Sequence, residues 1–173
     1  GVSFVLVIDT HRTSALLTDG VVVTGARNVV LSAEAGDAVS AEARMGAKGG
    51  GVAVAPAISI VLSNVTTLAR IGTGTLAATG DVRIHAAQHA SADNSATAAA
   101  IASDDAAVGI AFALTIANHT VTAVLGRSVT ADGNLTLEAF SWSNSSARTT
   151  ASAAGEVSET SRSASEPPFP MVR

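Results

Sequence analysis

The sequence predicts an all-β chain, a β-solenoid or β-helix built from three tandem repeats of about 54 residues. Three observations predict it. Two blocks of residues recur in register along the chain. Within them apolar and other residues alternate with a period of two, as on a strand with one buried face. The segments between the blocks change length and are rich in Gly, Asp and Ser, as surface turns allow.

The first block is "FVLVIDTHRTSALL" from Phe4, "ISIVLSNVTTLARI" from Ile58 and "FALTIANHTVTAVL" from Phe112. Phe4, Ile58 and Phe112 correspond, as do Leu6, Ile60 and Leu114, then Ile8, Leu62 and Ile116. This alternate row of large side chains is expected to face the core. Ala15, Ala69 and Ala123 follow in register, and after them Leu17, Ile71 and Leu125. A turn of changing length comes next, "TDGVV", "GTGT" and "GRS". The second block is "RNVVLSA", "GDVRIHA" and "GNLTLEA", in which Val29, Val82 and Leu135 match. Leu31, Ile84 and Leu137 match as well, and so do Ala33, Ala86 and Ala139.

The Ala/Ser-rich stretches after the second block could pass for helix on propensity. Their small residues nevertheless keep period two, from Ala33 to Lys48, from Ala86 to Ala102 and onward from Ala139. They are expected to be long strands with small inward side chains, where two sheets approach closely. Each unit is expected to make two or three coils. The units are residues 1–51, 52–107 and 108–157, and 158–173 form a Ser/Pro-rich tail or cap.

Composition narrows the function classes. The chain has 173 residues, 47% hydrophobic but only 3% aromatic, and a net charge of −4 with one lysine, Lys48. Nucleic-acid binding needs clustered basic charge, so no nucleic-acid partner is expected. No cysteine is present, which excludes thiolate metal sites and disulfides. The apolar runs are too short for a membrane helix and aromatic girdles are lacking, so no membrane insertion is expected. The opening Gly-Val, in place of Met, suggests a processed product or an excised segment.

"GGGVAVAPAISIVLSNVTTLARIGTGTLAATGDVRIHAA" resembles the repeats of large bacterial surface and secreted adhesins, of filamentous-haemagglutinin-like or autotransporter-passenger type. The resemblance covers roughly residues 3 to 155 and departs in turns such as "TDGVVVTGARN". It implies an extracellular or cell-surface location and a role in adhesion or surface display. It brings no catalytic motif.

Candidate sites are few. His85 and His89 share a strand face but lie about 13 Å apart, too far for one metal ion. Their counterparts, Ser32 and Glu138, then Gly36 and Trp142, read as a solvated face. "GTGTLA" matches a dinucleotide-binding pattern, but a strand and not a helix is expected after it. Asp104 and Asp105 are a weak calcium candidate in a turn. His11, Asn64, Asn118 and His119 fall at strand-to-turn junctions in register and could form a polar ladder. By parity Phe140 and Trp142 face outward. Either the "PPFP" of the tail folds over them, or they contact a glycan or protein partner.

The expected role is therefore a structural or adhesive segment of a bacterial extracellular protein, a stalk, fibre or adhesion surface. Its partners would be flanking repeats, or copies of itself joined through coil ends. The alternative is a carbohydrate- or host-binding module centred on Phe140 and Trp142. A polysaccharide-active enzyme on a solenoid face ranks third. No catalytic residue, metal or cofactor is expected.

Overall fold

The computed structural model describes residues 1–103 and 105–155. Nine strands follow in chain order: β1 (Ser3–Leu17), β2 (Val21–Ala26), β3 (Val29–Gly49), β4 (Ala53–Ile71), β5 (Gly74–Ala78), β6 (Val82–Ala102), β7 (Ala107–Leu125), β8 (Val129–Ala131) and β9 (Leu135–Gly155). They form three parallel sheets of three strands, β1-β4-β7, β2-β5-β8 and β3-β6-β9. The fold is all-β and consistent with a β-solenoid or β-helix.

The chain makes three passes, β1–β3, β4–β6 and β7–β9, and each pass supplies one strand to each sheet. Phe4 lies beside Ile58 and Ile58 beside Phe112. Val29 likewise lies beside Val82 and Val82 beside Leu135. Some 54 residues thus make one pass and not the two or three coils expected. The reason is strand length. The Ala/Ser-rich segments stay extended, so β3, β6 and β9 each take up 21 residues.

The inner face is where the sequence expectation needs correcting. In β4 every alternate residue from Ala53 to Ile71 is buried, Ala57, Ser59, Val61, Ser63 and Val65 among them, while Ile58, Ile60 and Leu62 point outward and are only partly covered. The flanking strands agree, with Phe4 58% and Phe112 49% exposed. The row of large side chains expected in the core lies on the outer face. Across the gap stand the small residues of β3 and β6, and the buried cluster there is Ala43, Ala57, Ala96 and Ala98. Next to it lies a cluster of Ala53, Ala55, Ala100 and Ala102. At Gly109 of β7 an added Cβ would stand 2.4 Å from the Ser152 carbonyl oxygen of β9 and 3.2 Å from that of Ala98. Two long sheets that close admit methyl groups between them and exclude leucine or phenylalanine.

The cross-section is a wedge. Where β2, β5 and β8 join the long sheets, the gap opens and large side chains turn inward. Ile71, Leu76, Val82 and Ile84 are fully buried there, and Leu17, Leu31 and Leu125 pack against them. Burying each such side chain contributes about 1.5–3 kcal/mol. The expectation that Ala69, Ile71, Val82, Ile84 and Ala86 face the core agrees with this half.

Side chains in the turns tie successive passes together. Asn28 Oδ1 accepts the Asp81 N–H at 2.9 Å, and Asp81 Oδ1 accepts the Asn134 N–H at 2.8 Å. Asp19 Oδ1 accepts the Thr73 N–H at 2.7 Å. That bond, and Arg70 beside it, hold the Asp19 carboxyl below its ordinary range. Arg127 caps these turns. Its guanidinium donates to the carbonyls of Gly72 and Val21, and to Thr18 and Thr73 at 3.1 and 2.7 Å, so one side chain clamps all three passes.

Candidate binding face

The outer face of β3-β6-β9 carries the sequence-predicted aromatics. Parity within each strand and the parallel register bring three rows together. Ser32, His85 and Glu138 form one, Glu34, Ala87 and Phe140 the next, and Gly36, His89 and Trp142 the third. Phe140 and Trp142 are two residues apart on one strand face, about 6.6 Å along it. Trp142 is 75% exposed.

Two histidines of β6 brace these rings. His85 lies at 5.8 Å from Phe140, ring centre to ring centre, in a tilted arrangement. His89 meets Trp142 edge-on at 5.2 Å. Glu138 anchors the near end, accepting from Arg83 Nη2 at 2.9 Å and lying 3.3 Å from His85 Nδ1. "TGDVRIHAA" thus supplies supports for the aromatic pair, while its alternate residues Val82, Ile84 and Ala86 are buried.

Beside the rings the face is hollow. Gly36 has no side chain and Ala87 a short one, while His89, Phe140 and Trp142 stand proud. The depression measures about 620 Å³ and Glu34 stands at its edge. Farther along the same face, Ser40, Glu42, Asp93, Ser146 and Arg148 line a second, more polar depression of about 410 Å³. There Ser146 Oγ donates to Asp93 Oδ1 at 2.7 Å, and Arg44 pairs with Glu42 at 2.6 Å. The face therefore offers flat aromatic surface next to hydrogen-bonding groups of both signs. The sequence signal for the hollow was the small size of the residues in register with Phe140 and Trp142.

The four residues of the candidate polar ladder divide between two faces. Asn118 Nδ2 donates to Asn64 Oδ1 at 3.4 Å on the outer face of β1-β4-β7. His11 and His119 point to the inner face and are separated by Val65, which is fully buried. His11 reaches Thr13 of its own strand at 3.1 Å. His119 bonds to Ser63 at 3.0 Å and to Ser143 of the opposite sheet. It is thus a bridge between sheets and not part of a stacked row.

Other polar bridges cross the gap, among them Thr67 Oγ1 to Gln88 Oε1 at 3.0 Å and Asn94 Nδ2 to Leu114 O at 2.8 Å. In the first pass Asp9 and Asp37 meet inside. Their shared hydrogen bond, then partial burial and mutual repulsion, raise the Asp9 carboxyl above its ordinary range. Sequence reasoning missed Arg127 and the Asn28–Asp81–Asn134 ladder. The Asn/Asp/Asn recurrence at one place in the second block was the available signal.

No group of three or more His, Cys, Asp or Glu suited to a metal ion occurs among the described residues. The turn expected of "GTGTLA" is limited to Gly72 and Thr73: strand β5 begins at Gly74 inside the pattern, and no helix follows it. Asp104 and the whole tail, residues 158–173, lie outside the described residues, and so does the expectation that "PPFP" covers Phe140 and Trp142. Comparison with known proteins found no matching family model, no matching curated protein and no matching solved structure, so the likeness to adhesin repeats rests on the residues quoted for it.

Proposed function

We propose that the chain is a three-turn β-solenoid segment with a structural or adhesive role in a bacterial extracellular protein, a stalk, fibre or adhesion surface. The observation that carries this reading is the unbroken register of the long sheets. Twenty-one consecutive residues of β3 pair with β6, and the same number of β6 with β9. Such stacking propagates along one axis, each pass templating the next. Among the described residues, the strands β1–β3 at one end and β7–β9 at the other are edges, whose backbone groups a flanking coil or a second copy would meet. Electron microscopy of the concentrated chain tests the reading. Unbranched filaments many chain-lengths long are expected. Particles that stay at single-chain length at every concentration would count against joining through coil ends.

A second reading is favoured by one specific observation, the hollow beside an exposed Phe140–Trp142 pair. A pyranose ring could lie on such a surface, its C–H face on the aromatic ring and its hydroxyls toward Glu34 and His89. Gly36 is open on its outer side, with nothing within 4 Å of an added Cβ. Gly36→Phe would fill the hollow and leave both aromatics in place. Glycan-array binding lost in both Gly36→Phe and Trp142→Ala, with unchanged circular dichroism, supports the module. Equal binding by wild type and both variants rejects it.

A further inference from the structure

The outer face of β1-β4-β7 has two unlike halves. One is wholly uncharged and apolar. On the middle strand it runs from Val54 to Leu62, with Phe4, Ile8, Phe112 and Ile116 among its flanks. The other half begins abruptly at Thr10, Asn64 and Asn118 and continues through Arg12 and Arg70. The apolar half contributes nothing to this chain's own interior, which on the inner side of the same strands is made of alanine, serine and valine.

We propose that this half-sheet is the interface of a symmetric dimer, in which a second copy of the chain packs the same rows face to face. The area is sufficient. Nine residues along the strand by three strands across give about 30 Å by about 14 Å, on the order of 400 Å² in projection. Side-chain relief roughly doubles this, to the ~800 Å² that each partner of a stable interface contributes. A monomer rarely leaves so large a contiguous apolar patch in water. The surface is also self-complementary. It is the outer face of one three-stranded sheet, and uncharged, so it selects no acidic or basic peptide. A second sheet of identical row spacing matches it at the ~10 Å separation of packed sheets. A two-fold axis through the patch brings apolar half onto apolar half and leaves the Asn, Thr and Arg half of each copy in water. The contact is lateral, so it differs from the proposed joining through coil ends and does not depend on it.

Sedimentation equilibrium of the full chain against Ile60→Lys tests the proposal. Ile60 stands within the patch, next on its face to the central Ile58, and points outward, so the lysine is tolerated in a single chain. In the dimer two lysines meet near the axis, and association is expected to weaken by at least about a hundredfold. The chain has no cysteine, so one nitroxide can be attached at Ile60→Cys and, separately, at Ser95→Cys on the opposite outer face. Chain-to-chain distances short at residue 60 and long at residue 95 are expected. A wild type that stays monomeric at about 100 µM would overturn the proposal. So would a dimer that Ile60→Lys leaves intact, or a short distance at residue 95. A monomer that binds neutral phosphatidylcholine vesicles through the patch would assign the face to a bilayer and equally overturn it. Filaments that persist in Ile60→Lys, with the lateral pair gone, would separate this interface from end-to-end stacking.

Discussion

Ile60 and Val61 are adjacent in β4, and their exchange for threonine distinguishes the inner face from the outer. Threonine is β-branched like both, so strand propensity is held nearly constant. Val61 is 0% exposed, between Val7 and Thr115 of the neighbouring strands. Val61→Thr puts a hydroxyl where a methyl was, in a gap already closed. The transfer loss and the unpaired hydroxyl together cost about 2 kcal/mol. Ile60 faces outward between Leu6 and Leu114. Ile60→Thr loses part of two cross-strand contacts, about 0.5 kcal/mol in the single chain. Urea denaturation followed by far-ultraviolet circular dichroism measures both. Protein concentration is kept low so that association does not contribute, and midpoints are compared at a shared slope. If Ile60→Thr costs as much as Val61→Thr or more, the large side chains form the core and the sheet faces the other way.

Three further outcomes follow from the geometry. The raised Asp9 carboxyl binds its proton more tightly when folded than when unfolded, so its contribution to stability is complete below pH 3.8 and is lost as pH rises through the folded value. Asp37→Asn removes the repulsion, so its melting temperature should exceed the wild type's at pH 7 and converge with it near pH 3. Arg127→Ala should destabilise by about 2 kcal/mol, because carbonyls in the first two passes lose a charged donor from the third. Arg127→Lys should recover little in the same denaturation assay, since an ammonium cannot fan out as a guanidinium does. Gly109→Val forces a side chain onto the Ser152 carbonyl and should cost about 3 kcal/mol or abolish the cooperative transition in calorimetry.

Much of the architecture was legible. Corresponding residues in the two blocks lie side by side, and the alanine-rich stretches stay extended because their small residues keep period two. The orientation of β6 and β9 was legible too, since Val82, Ile84 and Ala86 have only polar or small neighbours competing for the inside. The aromatic face could be found by placing Phe140 and Trp142 against Glu34, Gly36, Ala87 and His89. Arg127 was harder to see. A lone arginine in a turn is common, and its value here depends on five carbonyls from distant segments converging on one point.

In β4 both alternating sets could fill a core, Ile58, Ile60 and Leu62 or Ser59, Val61 and Ser63, and hydrophobicity favours the wrong one. The sequence by itself determined the long strands and their register, because these follow from periodicity and from repetition along one chain. Only the tertiary structure decided which face of β1-β4-β7 turns inward. That choice depends on the width of the gap, and the gap is set by the opposite sheet. Alanines of β3 and β6 bring it so close that methyl-sized groups fill the inside, and the larger side chains are left on the surface.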